Sequence, residues 1–307
     1  MPIATGLIRW TLQLTKNVWG FMELKAEPID VEGFKWTAQF DQYPGVDQLT
    51  MKCLPIEENP TSFWNIEAKG HVIAIHGTRK KNLFLWNGVF SNFHDTLMQV
   101  CLSRVIFADF LPPQSTETTA YIELRINYHE CTFIDISSPI NELIRNPSDG
   151  ILLSVDSKEI YVSNKALSIA SPFFDVFFNG EFKEKVEGKY VLSDVEFGTF
   201  KRMLAVIHDL KVDINDSSVE DLLEIADRFQ CRFVVKRCDD YLRSKQAREF
   251  DFKKKILLAS HFELFELLAE TIRTAPIDEL KDFAVFEGGM ELSEDARDWM
   301  LERIAFG

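Results

Sequence analysis

The sequence predicts an α+β protein in which an antiparallel β-sandwich is followed by an α/β domain and a set of C-terminal helices. Up to about residue 135, short segments of alternating apolar and polar residues are separated by turn residues. This pattern is typical of stacked antiparallel strands. After Asp149 most apolar residues recur at helical spacing. The length of 307 residues is enough for about two domains.

The strands of the first half are predicted from alternation. In residues 34–40, Phe34, Trp36 and Phe40 would lie on one face of a strand. Turn residues such as Lys69-Gly70 separate this strand from others like it. Residues 93–102 are predicted to form a short helix or a loop. The further predicted strands are 48–54, 62–68, 71–76, 82–86, 104–107 and 120–128.

The second half is predicted to contain a small sheet and many helices. The predicted strands are 151–155, 159–162 and 189–192. Asn164 is the predicted cap of the helix that follows the second strand, because its side-chain oxygen can accept a backbone N–H. Ser218 and Ser293 precede acidic residues and mark further helix starts. The later predicted helices are 197–207, 218–229, 232–245, 253–260, 262–274 and 293–304.

Residues 136–245 resemble a BTB/POZ domain. In that family an apolar strand precedes a His-Lys pair, an L-x-x-x-S-x-x-F helix and an aromatic exit, and Asn164 replaces the histidine here. Residues 219–230 are similar to the family helix L-L-x-x-A-D-x-Y, with Phe229 in place of the tyrosine. The residues that carry the resemblance are Lys165, Leu167, Ser171, Phe174, Phe177, Phe178, Cys238 and Leu242.

Residues 1–135 resemble a MATH domain in the order and spacing of four segments: 34–36, 49–53, 63–70 and 109–111. A MATH-like domain followed by a BTB domain is the layout of substrate adaptors for cullin-3 ubiquitin ligases. The resemblance therefore implies a target-binding domain at 1–135, a BTB/POZ domain at 136–245 and a helical extension at 246–307. It implies no catalytic residue and no cofactor in this chain.

The resemblance implies a cullin-binding motif at Phe182 and Glu184. In cullin-binding BTB proteins, an apolar residue two positions before a glutamate lies in the loop after the aromatic helix. Phe182 is surrounded by charged residues in the sequence, which is unusual for a core residue. The alternative is that Phe182 packs under the strand that follows it.

A homodimer interface is predicted at the start of the BTB-like region. Residues 138–146 are predicted to form a helix with Ile140, Leu143 and Ile144 on one face. In the family this helix packs across a two-fold axis, and the resemblance adds Lys165 and Leu167 to the interface. The alternative is that the helix packs within its own domain.

Trp86 and Phe90 are the candidate residues for target binding by the MATH-like half, where they are expected to be exposed. They lie in a segment, residues 83–93, that has more aromatic residues than a loop needs. The alternative is that both aromatic side chains belong to the core.

Composition excludes several other classes of function. The net charge of −14 opposes an electrostatic contact with nucleic acid. Arg9 and Lys16 interrupt the apolar N-terminal segment, so we expect neither a signal peptide nor membrane attachment. The five cysteines are irregularly spaced, and together with the six histidines they predict no metal site. They are expected to be reduced, which favours the cytoplasm or nucleus.

Three functions remain open: two that are not enzymatic, which are favoured, and an enzyme whose site the sequence does not reveal. The first is a cullin-3 substrate adaptor that binds an unknown target protein and a second copy of itself. The second is a BTB scaffold that dimerises in a transcriptional or cytoskeletal assembly without cullin.

Overall fold

The chain divides into two units, Met1–Asp135 and Ile136–Gly307, which we call the N-terminal unit and the C-terminal unit. The structure is a computed structural model. It describes residues 5–15, 22–25, 27–43, 46–76, 78–93, 97–103, 117–180, 189–287 and 292–306.

The N-terminal unit consists of two antiparallel sheets. The first sheet contains, from edge to edge, β1 (Thr5–Thr15), β9 (Glu117–Asp135), β6 (Ser62–His76) and β7 (Arg79–Ser91). The second sheet contains β2 (Met22–Lys25), β4 (Phe34–Tyr43), β5 (Val46–Pro55) and β8 (Leu97–Ser103), and β3 (Ile29–Val31) pairs with β4. All pairings between the described strands of this unit are antiparallel.

One hydrophobic core is shared by the two sheets. Trp36 and Leu49 of the second sheet are fully buried, as are Ile66 and Leu124 of the first sheet. Successive side chains of a strand point to opposite faces, so alternate residues of each strand enter the core. Burial of each such side chain contributes about 1.5–3 kcal/mol. The core therefore holds the two sheets against each other.

Trp86 and Phe90 belong to this core, so the prediction that they are exposed candidates for target binding is wrong. Their exposed fractions are 4% and 0%. The ring of Trp36 lies 6.3 Å from Trp86 and 4.9 Å from Phe90, measured between centroids. The reason is that β7 is one continuous strand. Its alternation directs these two aromatics inward and leaves Leu85 and Val89 exposed.

The strands predicted at 62–68 and 71–76 are one strand, β6, and Lys69-Gly70 is not a turn. Gly70 lies opposite Ile126 of β9. A Cβ atom on Gly70 would lie 1.7 Å from the carbonyl oxygen of Arg125 and 2.7 Å from Trp86 Nε1. Glycine is therefore needed here because the neighbouring strand approaches closely, and not because the chain reverses.

Residues 97–103 form strand β8, and not the helix or loop predicted at 93–102. β8 pairs with β5 from Val46↔Ser103 to Lys52↔Leu97. Periodicity cannot assign so short an apolar segment to a helix or a strand. The strand predicted at 104–107 lies outside the described residues.

The C-terminal unit is built on a three-stranded sheet. β10 (Gly150–Val155) lies between antiparallel β11 (Lys158–Ser163) and parallel β12 (Lys189–Leu192). A 3-10 helix, Pro147–Asp149, precedes β10, and a π-helix, Phe283–Glu287, follows α8. The described α-helices are α1 (Asn164–Ala170), α2 (Pro172–Asn179), α3 (Phe197–Ile207), α4 (Val219–Arg228), α5 (Arg232–Arg243), α6 (Phe252–His261), α7 (Phe265–Thr274), α8 (Ile277–Asp282) and α9 (Glu294–Phe306).

Residues 138–146 do not form the helix that the sequence predicts. The side chain of Asn141 bonds to the backbone instead. Its Nδ2 donates to the carbonyl oxygens of Ser138, at 2.9 Å, and Tyr161, at 3.1 Å. Its Oδ1 accepts the N–H of Leu143 at 3.1 Å. Such side-chain bonds compete with helix formation, and here they fasten a series of turns to β11.

The predicted α+β fold class is confirmed. An antiparallel β-structure comes first, and a small mixed sheet with many helices follows it. Of the elements predicted after residue 150, each strand and helix is present, with bounds that differ by up to three residues.

Gly70→Ala is expected to lower the free energy of unfolding by on the order of 3 kcal/mol, because the added methyl group overlaps the Arg125 carbonyl and forces β6 away from β9. Denaturant titration of the full chain would measure this as a lower midpoint. Gly33→Ala is the control. Gly33 has a φ of +81° with no atom within 4 Å of an added Cβ, so we expect a cost of about 1–2 kcal/mol. Wild-type stability of Gly70→Ala would contradict the close approach.

Candidate protein-interaction site

Helix α1 begins at a serine cap, one residue before the asparagine predicted for that role. Ser163 Oγ accepts the N–H of Ala166 at 3.0 Å. Asn164 is instead the first helical residue, and its Oδ1 accepts a hydrogen bond from Ser168 Oγ at 2.9 Å. Ser163 also donates to Asp149 Oδ2. The start of α1 is therefore tied to the segment that precedes β10.

A single buried serine joins α1 to α2. The N–H of Ser171 donates to Leu167 O at 2.9 Å and ends α1. The hydroxyl of Ser171 accepts the N–H of Phe174 at 3.1 Å and caps α2. The same hydroxyl donates to the carbonyl oxygen of Phe229, at the end of α4. One hydroxyl thus sets the direction of α2 and attaches it to α4.

Five buried rings hold α2 in place. The rings of Phe174 and Phe178 are one helical turn apart and stack with centroids 5.5 Å apart. Phe229 lies 4.9 Å from Phe174, and Tyr190 of β12 lies 5.0 Å from Phe178. Such ring pairs contribute about 0.5–1.5 kcal/mol each beyond burial. We call Phe174, Phe178, Tyr190, Phe200 and Phe229 the aromatic cluster.

Members of the aromatic cluster precede and follow, in the sequence, the cullin-binding motif that the resemblance implies at Phe182 and Glu184. Tyr190 Oη donates to the carbonyl oxygen of Phe178 at 3.1 Å, so the start of β12 is fastened to the last turn of α2. Phe182 and Glu184 lie outside the described residues, and their role in cullin binding stays a prediction.

The five residues predicted at a dimer interface differ widely in exposure. Ile140 is 85% exposed, Lys165 is exposed and Leu143 is half-buried. Ile144 and Leu167 are 9% and 0% exposed, so they pack inside the C-terminal unit. The predicted apolar stripe is absent because residues 138–146 are not helical. Ile140 and Lys165 remain accessible to a second copy.

Two exposed apolar residues of the α1–α2 pair were not singled out from the sequence. Ile169 is 76% exposed and Val176 is 60% exposed. Each lies two positions after a buried residue, Leu167 in α1 and Phe174 in α2. Two residues correspond to more than half a helical turn, so that spacing could have placed both on the outward faces.

The helices after residue 246 are attached by an ion network between α5 and α7. Lys236 Nζ lies 3.1 Å from Asp239 Oδ2 and 3.3 Å from Glu266 Oε2. Arg243 Nε lies 3.0 Å from Glu270 Oε2. The hydrogen bond from Lys236 lowers the pKa of the Glu266 carboxyl. Helix α7 is thus fixed to the last helix of the BTB-like region.

The described cysteines lack the character of nucleophiles. Burial raises the pKa of Cys231 to about 11 and that of Cys238 to about 12. Burial also raises the pKa of the Cys53 and Cys131 thiols. The thiolate is the reactive form, and catalytic cysteines have lowered pKa values. These four thiols therefore stay protonated near neutral pH.

Metal-binding clusters and membrane-spanning helices are both absent from the described ranges. Within those ranges, no three or more His, Cys, Asp or Glu side chains come together in a way that could hold a metal ion. None of the helices there combines the length and the apolar character that a bilayer crossing requires.

Residues 141–246 match the family model of the BTB/POZ domain. The matched range contains the three-stranded sheet, α1 to α5, the aromatic cluster and the segment 181–188.

The chain is similar to three curated proteins, two of which are named for a BTB domain. The chain is 24% identical to BTB and MATH domain-containing protein 38 of Caenorhabditis elegans over 50% of this chain and 39% of the relative. It is 30% identical to BTB and MATH domain-containing protein 36 of the same organism over 30% of this chain and 29% of the relative. For human Kelch-like protein 41 the identity is 28%, over 31% of this chain and 16% of the relative. The chain therefore matches less than half the length of these relatives.

A search of solved structures found the BTB (Tramtrack and Bric a brac) domain of human gigaxonin. The comparison has a TM-score of 0.27 and 21% sequence identity, and covers 32% of this chain and 80% of that chain. From the family model and the curated relatives, residues 141–246 are a BTB/POZ domain, and the predicted resemblance of the chain to MATH–BTB proteins is confirmed.

Ser171→Ala is expected to lower the free energy of unfolding by about 2 kcal/mol, because it removes the cap of α2 and leaves the buried Phe229 carbonyl with only a weak hydrogen bond, from Cys231 Sγ at 3.8 Å. The measurement is denaturant unfolding of the full chain. Ser217→Ala is the control, since Ser217 is exposed and bonds only to nearby Asn215, and we expect a change below about 0.5 kcal/mol. Equal effects of the two substitutions would show that Ser171 does not anchor α2.

Proposed function

We propose that the chain is a non-catalytic adaptor that links a target protein to a cullin-3 ubiquitin ligase. The observation that carries the proposal is the BTB/POZ domain at residues 141–246, a domain of protein–protein interaction and dimerisation. The resemblance to MATH–BTB adaptors adds cullin-3 as the partner. In this proposal the ligase chemistry belongs to partner proteins.

The aromatic cluster supports residues 181–188 as the cullin contact. It fixes α2 before the segment and β12 after it. A segment with fixed ends loses less conformational entropy on binding than a free one. Phe182 would be the apolar anchor in this contact, and Glu184 its polar neighbour.

Phe182→Ala is expected to weaken cullin-3 binding by about 2 kcal/mol, or about 30-fold, because it removes a large apolar anchor. Isothermal titration calorimetry of the full chain with purified cullin-3 would measure the change. The control is Ile56→Ala, which shortens a half-exposed apolar side chain of the N-terminal unit and should leave affinity unchanged. Equal affinities of Phe182→Ala and wild type would remove Phe182 from the contact.

We also propose that the chain forms a homodimer in which Ile140 and Lys165 contribute to the interface. Both side chains are exposed on the protomer. Ile169 of α1 is a further exposed apolar residue that suits such a contact. Ile144 and Leu167 would act indirectly, by holding the surface residues in position from the core.

Ile140→Asp is expected to produce folded monomers, because a charge in an apolar interface opposes association while an exposed position tolerates it. Light scattering at micromolar concentration would report the mass, and circular dichroism the fold. Ile56→Asp is the matched control and should remain dimeric. A wild-type chain that is already monomeric, or an Ile140→Asp chain that stays dimeric, would refute this interface.

The alternative function is a dimerising BTB scaffold that acts without cullin. The exposure of Ile140 and Ile169 favours it to the same degree, since self-association does not require cullin. Calorimetry separates the two functions, because a scaffold would form dimers and give no heat of binding with cullin-3.

The N-terminal unit would bind the target protein, whose identity is open. With Trp86 and Phe90 in the core, the target surface must use other residues. We propose a reducing compartment, the cytoplasm or the nucleus, and the free thiols of the four described cysteines support this.

A further inference from the structure

A groove lies between α7 and α9 in the C-terminal unit. Its volume is about 420 Å³. Ile272 of α7 is a buried part of its lining, and Trp299 and Phe306 of α9 contribute aromatic rings. The ring of Trp299 also packs near that of Phe265, with centroids 6.3 Å apart. Phe306 is 87% exposed, so this groove includes a large apolar ring that is accessible to solvent.

Two arginines of the same groove have no anionic partner within the described residues. Arg273 of α7 is exposed and Arg303 of α9 is half-buried. The Nε–H of Arg303 is buried and forms no hydrogen bond there. By comparison, Arg243 of α5 bonds to Glu270, and Arg297 of α9 donates to Leu292 O. The groove thus holds two donor groups for an acceptor that the described part of the chain does not supply.

The charges that line the groove indicate which anionic group could accept hydrogen bonds from the two arginines. Glu302 also lines the groove, so its lining carries two positive charges and one negative charge. That small positive excess suits one anionic group better than a polyanion such as nucleic acid. A single carboxylate, in contrast, can accept hydrogen bonds from two guanidinium groups. An apolar side chain beside that carboxylate would cover the ring of Trp299 and the exposed ring of Phe306.

We propose that the groove between α7 and α9 binds a segment of another protein in which one carboxylate side chain lies next to a large apolar side chain. Arg273 and Arg303 bind the carboxylate, while Trp299 and Phe306 contact the apolar side chain. This site is additional to the cullin contact, and it does not depend on whether cullin-3 binds.

The test uses fluorescein-labelled synthetic peptides of eight residues. Each has one central aspartate flanked by leucine, isoleucine, phenylalanine, methionine or tryptophan, and a matched set has asparagine at the centre. Fluorescence anisotropy with the full chain measures affinity. We expect aspartate peptides to bind at micromolar concentration and their asparagine counterparts to bind at least about tenfold more weakly.

Three variants locate the binding. Arg273→Gln and Arg303→Gln should each weaken the best aspartate peptide by about tenfold or more. Arg273 is exposed, so its substitution is informative even if Arg303→Gln impairs folding. Arg248→Gln is the control, because Arg248 is exposed and its side chain has no partner among the described residues, and it should leave binding unchanged.

Three results would overturn the proposal. The first is that no aspartate peptide binds the full chain. The second is that aspartate and asparagine peptides bind equally. The third is that Arg273→Gln binds as well as Arg248→Gln does.

Discussion

The position of α2 depends on one buried hydroxyl and the rings around it, and much of the BTB/POZ domain is arranged about that helix. Ser171 ends α1, caps α2 and donates to the end of α4. The aromatic cluster then joins α2 to α3, α4 and β12. Removing either partner of a buried hydrogen bond leaves the other unsatisfied. A different position of α2 would therefore cost free energy.

The N-terminal unit is organised by a different constraint, the alternation of side chains along long strands. Alternate residues of β5, β6 and β7 enter one core, and the others face outward. The core closes around Trp36, which contacts Trp86 and Phe90. β6 passes so near to β9 that only glycine fits at residue 70. In the proposed function, target recognition would therefore use the outward residues of the strands or the connections between them.

The sequence was sufficient to predict the fold class and nearly all elements of the C-terminal unit, because helical periodicity and start signals act locally. It failed where a distant partner decides the outcome. The helix predicted at 138–146 is prevented by Asn141, which bonds to Tyr161, 20 residues further on. β8 is a strand because it pairs with β5. The number of aromatic residues in segment 83–93 predicts that Trp86 and Phe90 are exposed, whereas the register of β7 determines that they face the core.

The residues of the predicted dimer interface could be predicted only in part, again because distant contacts decide which side chains are exposed. Family position predicts an interface role for both Lys165 and Leu167, whereas the structure places Lys165 on the surface and Leu167 in the core. Ile169 could have been predicted from its spacing, since it lies two residues after buried Leu167. The groove between α7 and α9 requires two helices to come together, which no local pattern shows.

Hydrogen–deuterium exchange of the full chain, with and without cullin-3, can show whether the aromatic cluster anchors α2 and whether cullin-3 contacts the residues that follow it. Without cullin, the amides of α2 should exchange as slowly as those of α3, because the aromatic cluster joins the two helices into one cooperative unfolding unit. With saturating cullin-3, exchange should slow in residues 172–188 and stay unchanged in β5 and β7. Fast exchange of α2 in the free chain would contradict the anchoring role of the cluster. Unchanged exchange of residues 172–188 with cullin-3 present would contradict the proposed contact.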